Sequence, residues 1–315
     1  MVHIGRLNTV GRAKETTKGT PVTVTKLISA TEVSFRPLAI KVDDTGSLWS
    51  IDAITGKDLA QQKTEISIAW WLKPNRTLEL FEASLWTSSV AWSDPYTHTF
   101  TLAQNNEHPA YTILHKNPSI DERATYCMLN EFAISVTNQQ HVLYTSSWIW
   151  GAISTTSSSA TYDPEENFLS RKCQVEIDDS VSFASPVVLD LRSFNLTFSK
   201  NLLEDYVLNK VQVADLYNQA FAVSGDMELT YKTTSLRGLS YNNTKKSIRI
   251  TIVGDEEIGT GEFNTIVITL WSVTLDDWDH STGNDDITTQ TLWFVKELWN
   301  PTNISLTVKN TRASL

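Results

Sequence analysis

The amino-acid sequence predicts a mainly β fold, antiparallel and arranged as a β-sandwich or β-barrel with one or two short helices. Three observations carry that expectation. Apolar and polar residues alternate with a period of two in several separate stretches, Thr, Val, Ile, Trp and Tyr are abundant, and only one stretch repeats its apolar residues at helical spacing. Successive side chains on a strand point to opposite faces, so alternation marks a strand with one face buried and one polar. β-branched and aromatic residues suit such a half-buried pleated surface.

In chain order, the first clear alternation sets Ile66, Ile68 and Trp70 against Glu65, Ser67 and Ala69. After Pro74 and Asn75, residues Leu78, Phe81 and Leu85 recur at spacings of three and four, with Glu79 and Glu82 between them. That spacing predicts a helix over about Thr77 to Thr87 whose apolar stripe covers a sheet face. Alternation returns at Phe132, Ile134 and Val136, at Phe194, Leu196 and Phe198, at Ile248, Ile250 and Ile252, and at Ile304, Leu306 and Val308. The stretch Asn201 to Gln219 has mixed spacing and predicts no element. Gly254 to Gly261 lies between two alternating stretches and reads as a hairpin turn; it lacks the Lys-Ser/Thr of a phosphate-cradling loop.

A chain of 315 residues makes one large domain or two of ordinary size. Ser154 to Asn167 is rich in Ser and Thr and nearly free of apolar residues, so it reads as a loop or linker near the midpoint. The implied division is a first β domain over 1–153, a linker or loop over 154–171 and a second β domain over 172–315. Phe132-Ala-Ile-Ser-Val-Thr-Asn is echoed by Phe194-Asn-Leu-Thr-Phe-Ser-Lys and more weakly by Ile304-Ser-Leu-Thr-Val-Lys-Asn. More coarsely, Lys63–Ala83 and the strands to Gly151 match the order of Val223–Thr244 and the strands to Lys309. An internal duplication and the patterning common to all β proteins both account for this.

Acidic residues outnumber basic ones, 36 to 26, for a net charge of −10. This argues against gripping nucleic acid by phosphate neutralisation, which needs clustered Lys and Arg. The charge is uneven: residues 1–62 hold eight Lys/Arg and six Asp/Glu, whereas 254–299 hold one basic residue and ten acidic ones. The segment 254–299 is either a solvated face or a negative surface that meets a basic partner or repels a polyanion. Two cysteines, Cys127 and Cys173, supply neither a disulfide framework nor metal-ligand spacing. Cys127 lies in a strand-like run and reads as a small core residue. The six histidines form no metal-binding pair. Asp276, Asp277, Asp279, Asp285 and Asp286 around Gly283 are out of register for an EF-hand. The pairs Glu256/Glu257 and Asp276/Asp277 sit on opposite strand faces, unsuited to glycoside hydrolysis. The expectation is therefore no catalytic residue, no cofactor-binding residue and no metal site. Met1 to Gly11 lacks a secretory h-region, and no apolar run approaches the ~18 residues that span a membrane. Eleven tryptophans offer a sugar platform or, more plainly, large aromatics for a β core and subunit contacts. Trp148 and Trp150 share a strand face. Trp70 and Trp71 oppose each other, so one of them needs a second apolar partner.

The string Gly11-Arg-Ala-Lys-Glu15-Thr16-Thr17-Lys18-Gly19-Thr20-Pro21-Val22-Thr23 resembles the opening of major tail tube proteins of long-tailed (siphovirus-like) phages and archaeal tailed viruses. The resemblance continues in order. Lys63 to Ala69 with the helix after it is similar to that family's strand-then-helix, and Thr97 to Leu102 and Pro109 to Ile113 to its next strand pair. Tyr126 to Val136 resembles its Cys-containing hairpin. Asn284 to Gln290, Trp299 to Thr302 and Ile304 to Asn310 are similar to its closing segments. The extra tryptophans and the Ser/Thr-rich insert depart from the pattern.

The resemblance implies a structural virion protein, not an enzyme, made in the host cytoplasm and residing in the tail. Copies of the chain form rings, either three pseudo-hexameric copies or six, and the rings stack into a hollow tube through which viral DNA is ejected without specific binding. Implied partners are the tape-measure protein and the tail terminator and tail tip proteins; there is no membrane and no cofactor. The segment 254–299 is the expected contributor to a negative lumen. The stretch Ser34 to Gln62, with turn signals at Gly46 and Gly56, is expected as an extended loop reaching the next ring, with Arg36 and Lys41 meeting an acidic surface. The alternative reading is a carbohydrate-binding β-sandwich on the virion or cell surface.

Overall fold

The computed structural model describes residues 8–28, 30–45, 54, 56–91, 94–105, 108–150, 153–232, 235–284, 287–296 and 303–313. Its first elements are β1 (Thr9–Lys14), β2 (Lys26–Ile28), β3 (Glu32–Asp44), β4 (Gly56–Trp71), α1 (Leu78–Leu85), β5 (Trp86–Ala91), β6 (Tyr96–Leu102), β7 (Tyr111–Lys116), β8 (Asp121–Thr137) and β9 (Leu143–Trp150). Two short strands follow, β10 (Ile153–Thr156) and β11 (Thr161–Tyr162), then β12 (Cys173–Asp178), β13 (Val187–Val188), β14 (Leu191–Ser199), β15 (Leu203–Asp205) and β16 (Asp215–Tyr217). The chain continues through β17 (Ala222–Thr230), α2 (Ser235–Tyr241), β18 (Lys246–Gly259), β19 (Glu262–Ser281), β20 (Thr289–Lys296) and β21 (Ile304–Asn310). The fold is mainly β with antiparallel sheets and two short helices, as the alternation predicts.

The largest layer runs β3-β4-β9-β8-β14-β17-β20-β19, every neighbouring pair antiparallel. Its inner face carries three of the predicted apolar rows: Ile66, Ile68, Trp70, Phe132, Ile134, Phe194, Leu196 and Phe198 are almost completely buried, and Met227, Leu292 and Phe294 join them. Only the C-terminal parts of β8 and β19 belong to this layer. The N-terminal part of β19 joins β13-β12-β18-β19-β21-β6-β5, and that of β8 joins β11-β2-β1-β7-β8-β10. Both strands change layer at a bulge with positive φ, Tyr126 (64°) in β8 and Ser272 (62°) in β19. An extra residue there leaves the ladder and turns the strand, which lets one strand serve two sheets.

The predicted helix forms within one or two residues of the expected ends, and all its residues are buried. Eight residues cannot hold a helix alone in water; packing does so here. Phe81 meets Phe100 of β6 at 6.0 Å and Phe132 of β8 at 5.6 Å, so the helix fills the space between two layers. Its acids are also held. Glu79 pairs with Arg12 of β1 (3.4 Å) and with Arg312 of the C-terminal tail (2.6 Å), and Glu82 pairs with Lys14 (2.5 Å) and accepts the Tyr111 hydroxyl (3.1 Å).

The two halves thread their strands in one order. β1, β2, β3, β4, α1, β7, β8 and β9 have the same pairings and sequence order as β12, β13, β14, β17, α2, β18, β19 and β20. The irregularities coincide as well. Tyr126 and Ser272 lie 146 positions apart. A second register shift falls between Leu129 and Glu131 opposite Trp148 and Ser147, and again between Leu275 and Asp277 opposite Phe294 and Trp293. The echoed segments are hydrogen-bonded neighbours where the halves meet: Phe132 faces Phe198, Ile134 faces Leu196 and Val136 faces Phe194.

The Ser/Thr-rich stretch is a loop fastened by its polar groups. β10 pairs with β8 and β11 with β2. Glu165 accepts Asn75 N–H (2.9 Å), and Glu166 accepts the N–H groups of Asp255 (2.7 Å) and Glu256 (2.9 Å). Asn201 to Gln219, for which no element is predicted, contains the two-stranded β15–β16 hairpin; Leu216 packs on Met128 and Ile149. Gly46, Trp299, Asn300, Pro301, Thr302, Asp285 and Asp286 lie outside the described residues.

Candidate assembly surface

Within Glu32–Leu38 of β3 and Lys63–Trp71 of β4, and along the other six strands, the outward side of the eight-stranded layer is polar. Ser34, Ser67, Ser147, Glu131 and Ser199 stand in one cross-strand row. Trp71, Leu143, Ser135, Asn195, Asp226, Trp293 and Asp277 form another. Its acids are Glu32, Glu65, Glu131, Asp226, Glu228, Asp277 and Asp279; its described cations are Arg36, Lys63 and Arg192. Lys63 is neutralised by Glu204 (2.7 Å) and Glu65 (3.4 Å). Asn195 donates to Asp226 (2.9 Å) and Ser193 to Glu228 (3.4 Å). Such a face is hydroxyl-rich and negative, with few cations that a phosphate could grip.

The layer also has two open edges. Among the described residues β3 pairs only with β4, and the C-terminal half of β19 pairs in this layer only with β20. Each edge presents unpaired backbone N–H and C=O groups, a template for another strand. Because eight strands alternate in direction, the two edges run antiparallel to each other.

Beyond the layer β3 and β4 continue as a paired arm to Asp44 and Gly56, past a register shift at Ile40 and Lys41. This differs from the loop expected over Ser34 to Gln62: the backbone is extended and paired. Its alternation is weak because neither side is covered by the described residues; Ile40 is 49% exposed, Val42 59% and Leu59 46%. Arg36 thus belongs to the layer and Lys41 to the arm.

The predicted acidic segment 254–299 is divided. Asp277 and Asp279 stand on the polar face. Asp255 is bound to Lys172 (2.7 Å) and Arg171 (2.8 Å) and Glu262 to Lys309 (2.7 Å), around the remote β18–β19 hairpin. Charge counting along the chain joins what the strands separate. It also misses Glu65, Glu131, Asp226 and Glu228, whose signal was their place opposite a buried alternating row.

The Glu15 motif has a structural task. The Glu15 carboxylate accepts Gly19 N–H (2.7 Å), the Thr112 hydroxyl (2.9 Å) and the N–H of Tyr126 (2.8 Å), the bulge residue of β8. Gly19 has φ +79°, which glycine adopts without strain. In the second half Asp178 similarly accepts the N–H groups of Ser180 (3.0 Å) and Ser185 (2.9 Å). A family model described as phage tail tube protein matches residues 5–294. The chain belongs to that family. It is thus a structural protein of the virion tail. Among curated proteins, none matches the chain.

The remaining sequence candidates fall within this frame. Cys127 is fully buried and burial pushes its thiol up; Cys173 is pushed up to about 12 by the same cause. Thiols so raised are poor nucleophiles at neutral pH. Among the described residues no three His, Cys, Asp or Glu gather as a metal site, and no helix is long and apolar enough to cross a membrane. Trp148 and Trp150 share one packed face, and Trp70 is buried while Trp71 is 37% exposed on the polar side. Trp71 and Trp293, both on that side, are five strands apart, ~24 Å, too far for one sugar platform.

Proposed function

We propose that copies of this chain close head to tail into a ring, edge strand β3 of one against the C-terminal half of β19 of the next. Rings then stack into a hollow tube whose lumen is the hydroxyl-rich acidic face and through which viral DNA is ejected. The observation that carries this reading is the eight-stranded antiparallel layer with one buried face, one polar face and two edges that have no partner strand among the described residues. A closed barrel is the arrangement that removes both edges. A negative lining repels phosphate, so DNA slides without counterion-release adhesion.

The shared strand order of the halves supports two tube domains per chain, 1–153 and 172–315, joined by 154–171, and hence a trimer with pseudo-sixfold symmetry. Three copies supply about 24 strands, which at ~4.8 Å spacing and ~40° tilt make a barrel ~48 Å across between backbones. Six copies would double that width. The β3–β4 arm, with Ile40, Val42 and Leu59 exposed, reaches the adjacent ring. The tape-measure, tail terminator and tail tip proteins are the further partners of such a tube. Negative-stain microscopy of the purified chain tests the reading: rings or tubes with a central hole support it, and compact single particles at every concentration overturn it.

A further inference from the structure

We propose the register of the seam between copies, reading it from the seam inside the chain; this rests on the ring proposed above. The common strand order equates β8 with β19 and β14 with β3. The internal β8–β14 contact is therefore a template for β19 against the next copy's β3.

The transfer is fixed by pairings on both sides. Matched register shifts place β19 and β20 146 positions beyond β8 and β9. Opposite Trp148 lies Ile66, and opposite Phe294 lies Gly225; Ile66 faces Phe35, and Gly225 faces Leu196. Phe35 therefore takes the place of Leu196. Inside the chain Leu196 faces Ile134, Thr197 faces Ala133 and Asn195 faces Ser135. Between copies Phe35 then faces His280, Arg36 faces Asp279 and Ser34 faces Ser281.

The chemistry of these rows agrees with the transfer. Arg36 and Asp279 are both exposed on the polar face. Among the described residues Arg36 has no carboxylate partner. Directly opposed opposite charges stabilise a strand pair. Where Phe132 and Phe198 stack at 5.8 Å in the internal seam, Trp278 meets Pro37. Pro37 removes one ladder donor and sets its ring against the indole, and the ladder continues on either side. A slip of one residue would turn every polar side chain inward. A slip of two would set Arg36 against Asp277 or Ser281, so the register has discrete competitors.

Cysteine trapping in assembled tubes tests this, in a Cys173→Ser background. Residues directly opposed on antiparallel strands have Cα atoms ~4.5–5.5 Å apart, within disulfide reach. Within one chain positions 36 and 279 are seven strand spacings apart along the layer, ~34 Å, so any crosslink joins two copies. The chain carrying Arg36→Cys and Asp279→Cys should oxidise to covalent closed trimers on a non-reducing gel, whereas Arg36→Cys with Asp277→Cys or with Ser281→Cys should not. Tubes that crosslink only through 36/277 or 36/281 overturn the register and leave the ring standing. Failure of the unmodified chain to form rings overturns the ring itself. Should the cysteine chains fail to fold, charge exchange replaces them: Arg36→Asp or Asp279→Arg alone loses assembly and the two together regain it. Equal loss in the double variant overturns the pairing.

Discussion

Replacing Glu15 by Ala removes one acidic side chain and disconnects three segments. The carboxylate receives Gly19 N–H, the Thr112 hydroxyl and Tyr126 N–H at 2.7–2.9 Å, in a site where Glu15 is only 6% exposed. A buried donor stripped of its acceptor forfeits about 1–3 kcal/mol. The Thr112 hydroxyl can turn elsewhere and water reaches the exposed Gly19, but the Tyr126 N–H is held in the bulge. With about 1–3 kcal/mol for Tyr126 N–H and about 1 for the Gly19 bond, the expected loss is about 2–4 kcal/mol, a sizeable part of the ~5–15 kcal/mol by which a domain is stable. Glu15→Gln keeps one acceptor oxygen and should lose about half as much. Denaturant unfolding of the unassembled chain, followed by tryptophan fluorescence, measures both as shifts in midpoint at constant slope. A Glu15→Ala midpoint within about 1 kcal/mol of the parent would refute the view that this carboxylate holds the bulge at Tyr126.

Other perturbations probe separate parts of the structure. Lys200 is buried with its ammonium on Ala83 C=O at 2.7 Å, and burial pushes it down to about 7. The unfolded chain then binds a proton that the folded chain lacks between about 7 and the ordinary lysine value near 10.4, so stability should rise with pH across that window. Lys200→Met should flatten the rise; an unchanged pH profile of unfolding contradicts the assignment. Glu79→Gln leaves Arg12 buried without its carboxylate and should cost about 3–5 kcal/mol by denaturation. Gly225→Ala would place a Cβ 2.2 Å from Asn195 O and 2.5 Å from Phe294 Cζ, so the β14–β17–β20 region must shift; loss of soluble folded protein by circular dichroism is expected. Changing Ile40, Val42 and Leu59 together to Ser touches only exposed positions of the arm and should leave the monomer's unfolding midpoint unchanged while rings no longer stack, as seen by microscopy.

Much of the fold was legible because one buried face imposes a period of two. Ile66/Ile68/Trp70, Phe132/Ile134/Val136 and Ile304/Leu306/Val308 alternate since each covers the same core from a different strand. The helix was legible for the same reason at period 3.6. Bulges were not: Tyr126 and Ser272 share no residue type, and their positive φ is imposed by pairings distant in sequence. The repeated strand order is likewise written in pairings, and the echo over 132–138 and 194–200 falls on β8 and β14, which are paired neighbours and not counterparts. The arm beyond Ile40 was hard to read because Ile40, Val42 and Leu59 are exposed among the described residues, so its apolar residues obey no burial pattern. The polar face was half legible: Asp277 and Asp279 stood out in a run of acids, whereas Glu131 and Asp226 are single charges that only cross-strand register brings to one surface.

Amide hydrogen exchange, compared between assembled tubes and the unassembled chain, tests most directly whether neighbouring copies complete the sheet. The account predicts slow exchange for alternate amides of Val33–Leu38 and Asp277–Ser281 in tubes and fast exchange in the free chain. Edges already protected in the lone chain, or equally exposed in both states, would contradict it.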